Sequence, residues 1–183
     1  MKRKRLLQIV QLNTKKTARK RADFLRSIFG YIGENVLYQP RTIPLYPELI
    51  KLHNNIVIAA KVTFITHDVI HTMLNKCKNT TDTYKEFIGC IEIMDNVFVG
   101  TNTTILYNVK IGSNVIIGAN SLVNKDLESG FVYAGIPARK VCSFDEFINK
   151  RKNCSFTTHN QNITDVEISN AWDAFYKNHP QQI

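Results

Sequence analysis

From residue 93 onward an aliphatic side chain returns at every sixth position, as Ile93, Val99, Ile105, Ile111, Ile117 and Val123. Four residues after each stands a second recurring position, filled by Val97, Thr103, Val109, Val115, Ser121 and Leu127. A period of six fits neither the 3.6 of a helix nor the simple alternation of a strand. It fits a coil of short extended segments in which every sixth side chain enters one shared interior, and it therefore predicts a solenoid. Gly100, Gly112 and Gly118 follow the aliphatic lead, where a tight corner benefits from a residue without Cβ.

The repeat can be followed backwards. Ile32 with Val36 and Tyr38 with Thr42 form a first series, which slips by two residues around Pro44 and Pro47. A second register pairs Tyr46 with Ile50, Leu52 with Ile56 and Ile58 with Val62, and ends at Phe64. From Thr66 to Lys85 the sequence is polar, carries no hexad and is too long for a corner, so it is expected to loop out; Phe87 with Ile91 is expected to restart the coil. The organisation predicted is a basic helical segment over 1–30, a mainly β solenoid over 31–142 with a protruding loop at 66–86, and a helical segment over 143–183. Ser143 with Glu146, and Thr164 with Glu167, form capping boxes that open two helices, the second holding Trp172, Phe175 and Tyr176. Those helices are expected to cover an open end of the solenoid, whose strand edges would otherwise be exposed.

The net charge of +9 is concentrated at the N-terminus, where residues 1–26 hold ten Lys and Arg against the single Asp23 and the remainder holds fourteen of each sign. A solvated helix face is the simplest reading of such a run. Contact with an anionic membrane or a phosphate-bearing substrate is the functional alternative. Nucleic-acid binding is not expected, because no aromatic residue interleaves the basic run before Phe24 and no recognition motif follows it. Phe24, Leu25, Ile28 and Phe29 give the apolar stripe of a short helix that would pack on the first coil. The apolar run Leu6–Val10 is broken by Gln8 and too short for a signal core, and no stretch reaches the length of a membrane span. Cys77, Cys90, Cys142 and Cys154 have neither zinc-ligand nor disulfide spacing. A soluble cytoplasmic protein with reduced thiols and no metal is expected.

Three pieces of the chain resemble the hexapeptide-repeat acyltransferases, in the branch of the maltose and galactoside O-acetyltransferases with related polysaccharide and xenobiotic enzymes. They are IGEN at Ile32–Asn35, FITHD at Phe64–Asp68, and the closing stretch from Ile91 to Val141. The resemblance covers roughly residues 30 to 142 and implies a left-handed parallel β-helix, a homotrimer with active sites at subunit interfaces, and acetyl-CoA as acyl donor. Left-handed crossover is an exception among parallel strands, so its only source here is the resemblance.

The site residues follow from matching positions. A sugar hydroxyl is a poor nucleophile near neutral pH, and a positioned histidine that takes its proton contributes about 10²- to 10⁴-fold in rate. His67 matches the family's catalytic histidine. His71, four residues on, is its rival as base or an acceptor contact, and Asp68 either orients an imidazole or binds a hydroxyl of the acceptor. For the cofactor, the resemblance implies an oxyanion role for the Thr101 backbone N–H, passage of the pantetheine arm past Ala119, Asn124 and Lys125 beside the adenosine end, and Arg139 with Lys140 at the 3′-phosphate. Phe98 is expected to wall the acyl or acceptor pocket. The acceptor-binding Asp of the sugar enzymes falls near Tyr46, and their Asn-bearing strand reads YQPR here, so the acceptor differs from maltose and galactoside.

A saccharide hydroxyl in a cell-surface or capsular polysaccharide precursor is the leading acceptor. An amino-sugar nitrogen or a xenobiotic is the alternative. A non-catalytic or metal-binding solenoid using His53, His67 and His71 is the reading from a third class.

Overall fold

The computed structural model describes residues 2–77, 82–152 and 163–179. The chain divides into two compact units, Met1–Phe147 and Ile148–Ile183.

The first unit begins with two helices, α1 (Lys2–Thr14) and α2 (Ala18–Leu25), where the sequence suggested one short helix nearer Gly30. Thr17 caps α2 by accepting from the Lys20 N–H. Leu25 and Phe29 are buried against the first coil, with the Phe29 ring edge-on to Tyr38 at 5.7 Å, as the apolar stripe predicted. The basic run is not wholly solvated: Arg21 is buried and donates to the Tyr38 and Lys15 carbonyls. A buried guanidinium persists because its N–H groups have acceptors.

The solenoid follows as four stacked coils. The first holds β1 (Tyr31–Ile32) and β2 (Val36–Tyr38), and the second β3 (Ile50–Leu52), β4 (Ile56–Ile58) and β5 (Thr63–Phe64). An arm then leaves the stack with β6 (His67–Asp68), the short helix α3 (Ile70–Leu74) and β7 (Phe87–Ile88). The third coil is β8 (Ile91–Ile93), β9 (Val97–Val99) and β10 (Thr104–Ile105); the fourth is β11 (Val109–Ile111), β12 (Val115–Ile117) and β13 (Leu122–Val123). Parallel pairing of each strand with its counterpart one coil away gives three sheets, β1-β3-β8-β11, β2-β4-β9-β12 and β5-β10-β13. β14 (Phe131–Ala134) extends the second sheet, and β15 (Arg139–Ser143) turns back antiparallel to it. A parallel β-helix is the result.

Every member of both six-residue series between 93 and 127 is buried, and the same inward positions stack from coil to coil, Ile32 over Leu52 over Ile93 over Ile111. Two of the buried positions are polar, and both Thr103 and Ser121 donate their hydroxyls to the Gly118 carbonyl. Two details of the predicted register change. Thr42 is exposed and Ile43 takes the buried place, because the first coil departs from the hexad before Pro44. Phe87 is not the restart of the coil: it lies in β7, antiparallel to β6, and the stack resumes at Ile91.

The corners are also made differently. Seven asparagines, at 35, 55, 96, 102, 108, 114 and 120, hold φ between 55° and 61°. Asn is among the few side chains that tolerate this left-handed region. Stacked asparagines bond each other, Asn55 to Asn96 at 2.8 Å and Asn96 to Asn114 at 3.0 Å. Gly100 is required for close approach instead, since a Cβ there would stand 2.5 Å from the Ala119 nitrogen.

Both predicted capping boxes form, at the start of α4 (Phe144–Lys152) and of α5 (Asp165–Asn178). Within the second unit, Trp172, Phe175 and Tyr176 of α5 contact each other. Cys154 lies outside the described residues. Among the described residues no helix is long and apolar enough to cross a membrane.

Candidate functional site

His67 stands where the second coil gives way to the arm. Thr66, fully buried, anchors that point by donating its hydroxyl to the Leu45 carbonyl and accepting the Gly89 N–H at 2.9 Å. His67 itself pairs across the arm with Ile88. Its ring meets the Tyr46 ring edge-on, centroids 5.6 Å apart and planes at 88°. Tyr46 is held in a left-handed conformation, φ 51°, and its hydroxyl donates to Glu86 Oε2 at 3.0 Å. That bond, with burial and the carboxylate charge, raises the Tyr46 hydroxyl above its ordinary range. Glu86 and Tyr46 thus form a brace on one side of the imidazole, and Glu86 carries no periodic signal that would have disclosed it.

The Nδ1 atoms of His67 and His71 are both enclosed without a hydrogen-bond partner among the described residues. A buried polar atom without a hydrogen-bond partner costs about 1–3 kcal/mol, which sets these two ring nitrogens apart from the other buried polar side chains of the site. Asp68 accepts a hydrogen bond at each carboxylate oxygen. Its Oδ2 accepts the Tyr107 hydroxyl at 2.9 Å and its Oδ1 the Ile70 N–H at 3.1 Å, which ties the arm to the third coil. The same bond raises the Tyr107 hydroxyl above its ordinary range.

Two cavities flank this point. One, of about 560 Å³, lies between α1 and the 43–48 segment and is lined by Lys4, Arg5, Gln8, Leu45, Tyr46 and Glu48 among others. The second, of about 470 Å³, lies under the arm against Asp68, His71, Tyr84, Phe87 and Tyr107. His67 lines neither, but its ring packs on a wall residue of the first and its chain neighbour Asp68 walls the second.

The residues matched to the cofactor fall on other parts of the solenoid. Thr101 and Ala119 are exposed and lie one coil apart on the corner between the second and third sheets, where the Thr101 carbonyl accepts the Asn120 N–H. Asn124 and Lys125 are exposed at the next corner, after β13, in the column that runs through Leu106 and Tyr107 to the His67 corner. Arg139 and Lys140 are exposed on β15; the Lys140 ammonium is 2.8 Å from Glu128 and 3.8 Å from the Phe131 ring centroid. On one chain, therefore, the third sheet separates Thr101 and Ala119 from His67. Phe98 is half-exposed and stands in an outward row of the second sheet between Val57 and Ile116, away from both cavities. Among the described residues no cluster of three or more His, Cys, Asp or Glu is placed to hold a metal ion.

Residues 90–125 match the family described as bacterial transferase hexapeptide (six repeats). YvoF of Bacillus subtilis (strain 168) is 31% identical over 124 residues, which are 66% of this chain and 64% of that protein, so the chain spans just under two thirds of that relative. The galactoside O-acetyltransferase of Escherichia coli (strain K12) is 27% identical over 143 residues, 67% of this chain and 68% of that one. Among solved structures, the hexapeptide-repeat acetyltransferase VCA0836 of Vibrio cholerae superposes with a TM-score of 0.62 at 20% identity, covering 77% of this chain and 89% of the other. That likeness is one of fold.

Proposed function

The chain belongs to the hexapeptide-repeat transferases, and from that premise we propose that it is an acetyl-CoA-dependent O-acetyltransferase acting on a saccharide hydroxyl, with His67 as general base. The observation that carries the assignment is the His67 corner: an imidazole braced by Tyr46, where the coil gives way to the arm, with a cavity on either side. VCA0836 is also known in complex with acetyl coenzyme A, which supports the same donor here.

Acetyl-CoA supplies an activated thioester. His67 takes the proton of the acceptor hydroxyl as its oxygen attacks the thioester carbonyl, and returns it to the departing thiolate. The Thr101 backbone N–H has no protein acceptor among the described residues and donates to the developing oxyanion. Arg139 makes charge-assisted contacts to the 3′-phosphate, assisted by Lys140 once it exchanges Glu128 for phosphate. Asn124 and Lys125 flank the adenosine end, and Ala119 leaves room for the pantetheine arm. Because the Thr101 corner and the His67 corner of one chain are separated by a sheet, a complete site combines the two corners from neighbouring copies. A homotrimer around the apolar outward row Leu37, Val57, Phe98 and Ile116 of the second sheet meets that need, with the solenoid wound left-handedly. The acceptor, a precursor of a cell-surface polysaccharide, enters by the cavity that Tyr46 lines, while His71 lines the second cavity under the arm.

Acetyl transfer to a panel of sugars and amino sugars, followed with His67→Ala and His71→Ala, tests the assignment. We expect His67→Ala to lower kcat by about 10²- to 10⁴-fold while coenzyme A affinity by calorimetry is retained. An active His67→Ala overturns the base, transfer confined to amines overturns the O-acetyl reading, and absence of coenzyme A binding overturns the whole.

A further inference from the structure

Helix α1 is apolar on two faces. The inner face is accounted for: Leu12 is fully buried, Ile9 packs against the core, Arg5 donates to the Ile43 carbonyl at 2.9 Å and Asn13 to the Arg41 carbonyl at 3.1 Å. Those bonds fix the rotation of the helix on the 41–43 segment. The outer face then carries Leu6, Leu7 and Val10, exposed to 64%, 61% and 55% of their surface. Residues at i, i+3 and i+4 are neighbours on a helix, so the three form one patch and not three scattered side chains. An exposed aliphatic patch on an otherwise well-packed unit marks a surface that something covers.

Its surroundings say what kind of thing. Arg3 and Lys4 flank the patch on the same helix, and Lys16, Arg19 and Lys20 continue the exposed positive surface. Asp23 is the one acidic residue in the first 26. An aliphatic patch within a field of cations is the composition of a helix that lies in the headgroup layer of an anionic bilayer, where apolar side chains enter the acyl boundary and cations meet lipid phosphates. A second copy of this chain would need a complementary acidic surface around an apolar centre, and the neutral remainder of the chain offers none in excess. We infer that α1 is a peripheral docking surface for an anionic membrane, seating Leu6, Leu7 and Val10 in the interface. This inference is independent of the acyl-transfer reading.

The test uses the full chain with vesicles of phosphatidylcholine and of phosphatidylcholine mixed with phosphatidylglycerol, scored by co-sedimentation. We expect binding to the mixed vesicles, little to the neutral ones, and a loss of about tenfold or more when salt is raised. Leu6→Asp with Leu7→Asp should weaken binding to mixed vesicles by about tenfold or more, with far-UV circular dichroism and elution volume unchanged. Lys16→Gln with Lys20→Gln should reduce the preference for anionic lipid and leave the fold intact. Absence of binding to mixed vesicles overturns the inference. So does undiminished binding of the Leu6→Asp, Leu7→Asp variant, which would leave charge alone, and so does a changed assembly state of that variant, which would make the patch a contact between copies.

Discussion

The first and second sheets of the solenoid enclose the same interior and present opposite exteriors. On the first, the outward row runs Tyr31, Lys51, Glu92 and Lys110, with Glu92 bonded to His53 at 3.1 Å and within 3.7 Å of Lys110. On the second, the row in the same structural position runs Leu37, Val57, Phe98 and Ile116. The inward positions are indistinguishable in character, so the core cannot be the source of the difference. A row of cross-strand ion pairs is stable facing water, whereas an apolar row on a parallel sheet is the kind that is ordinarily covered. One wall carries a charged outward row and the other an apolar one, and the proposed homotrimer rests on that difference.

The largest effect expected is from charging the apolar wall. In the proposed homotrimer, Val57→Asp with Ile116→Asp should reduce the mass by light scattering to a single chain of 21.0 kDa, and the proposed acetyl transfer with it, whereas Lys51→Gln on the charged wall should leave the mass unchanged. An unchanged mass in the first variant would break the comparison. Next comes the interior that both walls share: Ile105→Ala removes a fully buried side chain and should cost about 2–5 kcal/mol in denaturant unfolding. At the corner between the two walls, Asn114 holds φ 58°, so Asn114→Ala should cost about 1–2 kcal/mol and Asn114→Gly less.

The smallest effect lies on the charged wall. Glu92→Gln should cost less than about 1 kcal/mol, because its pairs are half-exposed and screened. It also has a signature in pH. The bond from His53, joined by Lys110 and Lys51, holds the Glu92 carboxyl below its ordinary range. A carboxyl depressed on folding contributes stability above its unfolded value, and that contribution fades as pH falls through the folded value. Melting curves of wild type and Glu92→Gln should therefore differ at neutral pH and converge in acid.

Much of the solenoid was legible because period six records burial directly: both series from 93 to 127 are interior without exception. The failures have physical causes. A count of sixes places Thr42 inward in a segment where the hexad has already lapsed, and Phe87 fits the period but is drawn into an antiparallel pair with Asp68. Glycine was expected at the corners, where Asn recurs at 18-residue spacing as Asn96 with Asn114 and Asn102 with Asn120; the signal was present in the chain, and only the φ values disclose its meaning. At the site, motif matching singles out His67 and Asp68 and places Tyr46 where the resembling enzymes carry an acceptor-binding Asp. Glu86 and Tyr107, which hold Tyr46 and Asp68, lie 40 and 39 residues away from them with no pattern to announce them.

By itself the sequence determined that this chain coils, where the coil is interrupted, and which histidine stands at the interruption, because burial at a fixed period is a local property repeated along the chain. Tertiary structure decided which side chains form each outward row, that Asp68 accepts from Tyr107 and Ile70, that Tyr46 braces His67, and that Thr101 and His67 occupy different corners. Those facts depend on which coil lies above which, and stacking across a 26-residue arm is fixed by pairing between distant strands, which no local pattern records.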